Sequence, residues 1–217
     1  MNILRVGGFQ PFTTIDYPGE LAAVVFCQGC PWRCRYCHNR HLLSRRGSEE
    51  IPWSGVLDFL HRRAGLLDAV VFSGGEPTLQ RGLPDAIREV RVLGFKVGLH
   101  TAGCYPKRLA AVLPMLDWVG LDIKALPEDY PALTGVLRSG EQAWQSLRLL
   151  LDSGIAHEVR ITIHPTFLPQ ARLMQLIAAL GQEGALRPVF QKCQWCEALD
   201  QDLAWRDVQN NATILAI

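Results

Sequence analysis

Three cysteines stand close together in Cys30-Pro31-Trp32-Arg33-Cys34-Arg35-Tyr36-Cys37. Thiolates spaced CxxxCxxC in one loop can converge on a metal, and soft sulfur donors suit iron-sulfur centres. A 4Fe-4S cluster has four irons, so three protein thiolates leave one iron open to a ligand that is not protein. A structural zinc site usually takes four N or S donors, often as two CxxC pairs, and three donors fit it poorly. A disulfide framework fits worse, because nothing at the N-terminus reads as a secretory signal.

Further polar groups recur at places where apolar runs end. Ser73-Gly74-Gly75-Glu76-Pro77 offers two residues without Cβ atoms beside a carboxylate, so backbone can approach a ligand and an ammonium can find an acceptor; Gly-Gly and Pro are also ordinary turn residues. His100-Thr101-Ala102-Gly103 follows another run. In Asp122-Ile123-Lys124, period-two alternation puts acid and base on one face, either to grip a zwitterion or as a simple ion pair. Arg160 interrupts the apolar stretch Val159 to Ile163, where a guanidinium needs an anionic partner. His164 follows as a further lining candidate.

These groups need a scaffold, and the chain supplies enough apolar material for one. Its 217 residues are 48% hydrophobic, and the expectation is a single domain over 1–217 with its core at about 20–192 and residues 193–217 unassigned. A net charge of +1 gives no basic field for nucleic acid. No apolar run reaches the roughly 18 to 20 residues of a membrane span, so a cytoplasmic location is expected. Seven cysteines in a reducing compartment point to metal or redox chemistry.

The elements alternate. Strands are expected at Ile3 to Val6, at Leu21 to Phe26 after the turn Asp16-Tyr17-Pro18-Gly19, at Leu66 to Phe72, Phe95 to Leu99, Trp118 to Ile123, Val159 to Ile163 and Pro188 to Gln191. Helical spacing marks Ile51 to Arg63, Leu83 to Leu93, Leu109 to Leu116, Trp144 to Leu151 and Leu173 to Leu180. About six βα repeats with short crossovers give a parallel α/β sheet able to curl into a partial (β/α)6 barrel, with ligands at the carboxyl ends of its strands.

The thiol spacing with Tyr36 before the third cysteine, followed one βα unit later by Gly74-Gly75-Glu76-Pro77, resembles the radical S-adenosylmethionine (SAM) superfamily. The resemblance implies a 4Fe-4S cluster on Cys30, Cys34 and Cys37, and SAM chelated at the open iron and cleaved by one electron. It implies SAM contacts from Tyr36, Gly74, Gly75, Glu76, Thr101, Asp122, Lys124 and Arg160, with His164 a weaker candidate. Gly7-Gly8-Phe9-Gln10, Gln28-Gly29-Cys30, Cys37-His38-Asn39 and Leu133-Thr134-Gly135 further resemble the activating proteins of anaerobic ribonucleoside-triphosphate reductase, over about residues 7 to 192. That implies a glycyl radical enzyme as protein substrate and a flavodoxin or ferredoxin-type electron donor. His100 stands where activating enzymes usually carry an aspartate, so a monovalent-cation site built on that acid lacks it here. A radical SAM enzyme for a small molecule or peptide, and a non-catalytic iron-sulfur or zinc protein, are the other readings.

Cys193-Gln194-Trp195-Cys196 is a CxxC pair open to metal or disulfide, whereas Cys27 and Cys104 read as small apolar residues. Arg33, Arg35, Arg40, Arg45 and Arg46 form a basic face around the thiol loop, either solvated or a dock for an acidic partner.

Overall fold

A computed structural model describes residues 3–193. Seven strands form one sheet in sequence order: β1 (Val6–Thr13), β2 (Ala22–Cys27), β3 (Ala69–Gly74), β4 (Lys96–Thr101), β5 (Trp118–Asp122), β6 (Ala156–Ile163) and β7 (Val189–Lys192). Strands β2 to β7 are mutually parallel, and β1 pairs antiparallel with β2. The crossovers carry α1 (Trp53–His61), α2 (Leu83–Val92), α3 (Pro106–Val112), α4 (Tyr130–Thr134), α5 (Ser139–Ser153) and α6 (Gln170–Glu183). Six parallel strands with their helices are the partial barrel expected from the alternation, and β1 and β7 lie at the two ends of the sheet.

Period two along each strand sorts the side chains. Ala23, Val25, Val70, Phe72, Val97, Leu99, Val119, Leu121, Val159 and Ile161 face outward, into one core with Leu60, Ile87, Leu109, Leu147 and Leu176 of the helices. The inward set is small near the amino ends, with Ala22, Val24, Ala69 and Val71 packed around Tyr17 and Trp118. Near the carboxyl ends it turns polar, with Ser73, His100, Asp122, Arg160, Thr162 and Gln191 lining a cavity. Polar groups therefore sit where the sheet leaves room for a ligand, and apolar ones where it closes on itself.

Two expectations need correction. The first strand does not cover Ile3 to Val6; it starts at Val6 and runs through two glycines to Thr13. A Cβ at Gly7 would collide with the Gln28 side chain, so the strand tolerates glycine because a buried amide lies against it. The segment Asp16-Tyr17-Pro18-Gly19 is more than a turn. It sends Tyr17 into the barrel, where the ring stacks on Trp118 at 5.2 Å, and Gly98 leaves it space, since a Cβ there would stand 3.1 Å from the ring. Helix α4, five residues long and closed by Gly135 at φ 72°, has no counterpart among the expected elements.

Candidate functional site

The thiol loop leaves the carboxyl end of β2 and is gripped from both sides. On one side the Gln28 amide donates to the carbonyls of His41 (3.0 Å) and Ser44 (2.6 Å), and the Gly29 N–H donates to Leu42 O at 2.8 Å. On the other, Arg33 and Arg35 donate their backbone N–H groups to the carbonyls of Thr134 and Leu133 of α4 at 3.0 and 3.1 Å. Trp32, 1% exposed, stands edge-on to Tyr130 at 5.7 Å. The Tyr130 hydroxyl in turn accepts the Lys124 backbone N–H at 2.9 Å. A loop without regular structure thus acquires a fixed place.

Cys30, Cys34 and Cys37 all line one cavity of about 590 Å³. Burial raises the Cys30 and Cys34 thiols to about 12 and about 11, so they hold their protons until a metal displaces them. Among the described residues no three Cys, His, Asp or Glu side chains close on a single metal-ion position. A zinc ion needs its donors around one point. Cys30, Cys34 and Cys37 would hold a 4Fe-4S cluster through soft thiolates of the kind iron-sulfur centres take. Among the described residues the six cysteines form no disulfide, and Cys27 and Cys104 are buried in the outer core as expected of small apolar residues.

Asp122 of β5 lies opposite Arg160 of β6 in register. Its Oδ1 accepts from Arg160 Nε at 3.0 Å and its Oδ2 lies 3.3 Å from Lys124 Nζ. Burial alone would raise the Asp122 pKa, but Arg160 and Lys124 outweigh it and hold the value down to about 2. One carboxylate between two cations leaves a positive charge in excess, suited to a zwitterion whose carboxylate faces this wall. The partner that Arg160 needs is therefore Asp122. Gly120 makes the space, since a Cβ there would stand 2.8 Å from Arg160 Cζ.

Gly74 and Gly75 also line the cavity, but the reason for glycine is packing against the chain. A Cβ on Gly74 would meet the backbone of Cys27, and one on Gly75 the carbonyl oxygen of Gly29. Glu76 is fully buried behind the wall. Its Oε1 accepts from Thr78 N–H (3.0 Å), Thr78 Oγ1 (2.5 Å) and Thr101 Oγ1 (2.7 Å), and its Oε2 from Ala102 N–H (3.0 Å). The carboxylate is thus occupied in joining the turn after β3 to the turn after β4. Thr101 lies on the wall and shares in this joint.

Tyr36 is on the wall, 6% exposed, with Lys124 Nζ 5.6 Å from its ring centroid. Its hydroxyl is buried and makes no hydrogen bond among the described residues. His164 does not line the cavity; it is fully buried and stacks behind Tyr36 at 5.7 Å. His100 is on the wall, with Nε2 at 2.8 Å from Asp16 O and Nδ1 at 3.4 Å from Ser73 Oγ. Burial, then the Arg160 charge, push its pKa down to about 4, so the ring is neutral at pH 7.

Several contributors carry no signal in the sequence: Tyr130, Gly120, and the wall residues Thr162 and Gln191. Leu133, Thr134 and Gln28 stand in the sequence only within motifs of resemblance, and their hydrogen bonds to and from the thiol loop give those motifs a physical reason. Of the Cys193 and Cys196 pair, Cys193 lines the same cavity, and Cys196 lies outside the described residues. No helix among the described residues is long and apolar enough to cross a membrane.

The model of the radical SAM superfamily matches residues 24–176. Over 173 residues the chain is 31% identical to a Methanocaldococcus jannaschii protein that bears the name of a glycyl-radical enzyme activating enzyme, covering 76% of this chain and 69% of that one. It is 32% identical over 168 residues to the pyruvate formate-lyase-activating enzyme of Clostridium pasteurianum, covering 75% and 69%. Among solved structures, Streptococcus suis SuiB bound to S-adenosylmethionine matches with a TM-score of 0.62 at 14% identity, over 86% of this chain and 47% of SuiB. This chain spans about half of that structure, and the likeness is one of fold. Thiols on one wall and a charged triad on another are thus explained by descent: the chain belongs to the radical SAM superfamily, among its glycyl-radical enzyme activating enzymes, whose cofactors are a 4Fe-4S cluster and SAM.

Proposed function

We propose that this chain activates an anaerobic ribonucleoside-triphosphate reductase by removing a hydrogen atom from one of its glycines. The observation that carries the reading is that the three thiols and the Asp122, Lys124 and Arg160 triad border one cavity. Cys30, Cys34 and Cys37 hold the cluster, and Asp122, Lys124 and Arg160 hold the amino-acid end of SAM. Tyr36 meets the adenosyl part, Gly74 and Gly75 border it, and Glu76 and His164 act from behind, through Thr101 and Tyr36. When bound, the cluster supplies one electron that cleaves SAM to methionine and a 5'-deoxyadenosyl radical, which takes the glycine hydrogen. The protein's own part is to orient SAM and keep water from the site.

The reductase is favoured by Gly7-Gly8-Phe9-Gln10, Gln28-Gly29-Cys30 and Leu133-Thr134-Gly135, which resemble its activators. The exposed Arg33, Arg35, Arg40, Arg45 and Arg46 around the loop suit an acidic flavodoxin or ferredoxin-type donor. Because one relative is named for pyruvate formate-lyase, that enzyme is the competing substrate. Anaerobically reconstituted protein with SAM and a reductant is incubated with each enzyme, and a glycyl-radical EPR doublet is sought. A doublet on the reductase alone is expected; a doublet on the lyase alone overturns the choice of substrate. Absence of 5'-deoxyadenosine from fully reconstituted protein overturns the activity itself.

A further inference from the structure

The sheet ends in two strands that differ as edges. On β1 the Val6 carbonyl already accepts the Ile51 N–H at 2.9 Å, Pro11 has no N–H to offer, and the pairing with β2 shifts register between Val6 and Gly8 and again between Gln10 and Thr13. Such an edge resists a further strand. Strand β7 has none of these features: its four residues pair with β6 in unbroken register, and all four are exposed.

The main chain of β7 has two sides. In a parallel ladder each residue turns its N–H and C=O to the same neighbour, and successive residues alternate between neighbours. The Cys193 N–H donates to Ile163 O of β6 at 3.3 Å, so Gln191 and Val189 face β6 as well, and Phe190 and Lys192 face away. The N–H and C=O groups of Phe190 and Lys192 thus stand along the outer edge without a strand partner among the described residues. The side chains alternate too. Val189 and Gln191 lie opposite Arg160 and Thr162, which line the cavity, and Gln191 and Lys192 line it at the end of the strand.

A strand added to this edge would lie about 4.8 Å from β7. Every second residue of it would point into the barrel beside Gln191, which lines the same cavity as the three thiols and the Asp122, Lys124 and Arg160 triad. A side chain there would stand in the cavity, whereas a glycine presents its Cα hydrogen with no Cβ in front of it. We propose that the free edge of β7 docks the glycine loop of the partner enzyme, which adds to the sheet as an extended segment through main-chain hydrogen bonds to Phe190 and Lys192. This rests on the reading above that the partner is a glycyl radical enzyme, and it names the place on this chain where that enzyme's loop binds.

Residue-resolved hydrogen–deuterium exchange tests this on full-length, anaerobically reconstituted protein, alone and with unactivated reductase or pyruvate formate-lyase, each mixture also assayed for the glycyl-radical doublet. The Phe190 and Lys192 amides should exchange freely in the protein alone and about tenfold more slowly with the enzyme that gives the doublet, while the Gln191 amide stays slow in both. Phe190→Pro removes one outward N–H and leaves the bonds to β6 in place, so it should raise KM for that enzyme about five- to tenfold at little change in kcat. Phe190→Ala keeps the N–H and should leave KM near the wild-type value. Iron content and thermal unfolding check the fold of each variant.

Protection of both amides in the protein alone overturns the proposal, because residues 194–217 or a second copy then hold the edge. A doublet without protection, or an equal rise in KM from Phe190→Ala, also overturns it and leaves the activity standing. Absence of a doublet on both enzymes overturns the reading of function, and the docking site falls with it.

Discussion

The hydroxyl of Tyr130 accepts the backbone N–H of Lys124 at 2.9 Å while its ring stands edge-on to Trp32, so one side chain braces the charged triad against the thiol loop. Tyr130→Phe keeps the ring and removes the acceptor, leaving a buried N–H without a partner. A buried unsatisfied donor costs about 1–3 kcal/mol. The variant should unfold at lower denaturant by that amount, bind iron normally, and bind SAM several-fold more weakly. Equal SAM affinity in wild type and variant would show that the brace does not reach the site.

Glu76→Gln tests the joint between the turns after β3 and β4. Thr78 N–H and Ala102 N–H approach opposite oxygens of the carboxylate. An amide has one oxygen and one NH2, so in either orientation one of those backbone donors faces another donor. Loss of about 1–3 kcal/mol is expected from the orphaned N–H, read by urea unfolding, together with weakened SAM binding. A variant with unchanged stability would mean that the joint rearranges without penalty.

The two glycines of the same turn differ from a helix-ending glycine in kind. Gly75→Ala must push apart two stretches of backbone, and Gly74→Ala must in addition hold φ near 111°. Gly135 has φ 72° with open space around it. Gly135→Ala should therefore cost only about 1–2 kcal/mol, the left-handed penalty, whereas both turn variants should lose more than about 3 kcal/mol or fail to accumulate as folded protein. Thermal unfolding of the three proteins gives the ranking, and a turn variant as stable as Gly135→Ala would contradict the crowding.

What is legible in the sequence follows from where physics is local. Apolar period and short crossovers determine six parallel strands, and polar residues at their carboxyl ends mark the site, so Asp122, Lys124 and Arg160 stand out from their positions in the chain alone. Helix α4 does not, because five residues are too few to show a period. Strand β1 is hidden by Gly7, Gly8 and Pro11, whose presence is explained by Gln28 and by an edge position rather than by strand propensity. The direction of Glu76 is equally hidden. Its side chain turns back to cap the Pro77–Leu79 turn, and only tertiary placement brings Thr101 and Ala102 to it.

His100 supplies a pH dependence. Burial and Arg160 lower its folded pKa to about 4, against about 6.5 in the unfolded chain. Between these values the unfolded chain binds a proton that the folded chain does not, so acidification favours unfolding. The stability contributed by the neutral ring is whole above about pH 6.5 and is lost as pH falls toward 4, on the order of 2 kcal/mol by pH 5. Urea titrations of metal-free protein at pH 7 and pH 5 should show this loss, and His100→Gln should lack most of it. Equal losses in the two proteins would assign the acid sensitivity to other groups.

The terminal strands have a consequence for what can reach the radical. Among the described residues β1 and β7 each have one neighbour, so the strands described do not close into a tube and leave a slit between those two. A closed tube would admit only what fits through its mouth. A slit lets a folded macromolecule lay a loop in sideways, without threading a chain end, and withdraw it afterwards.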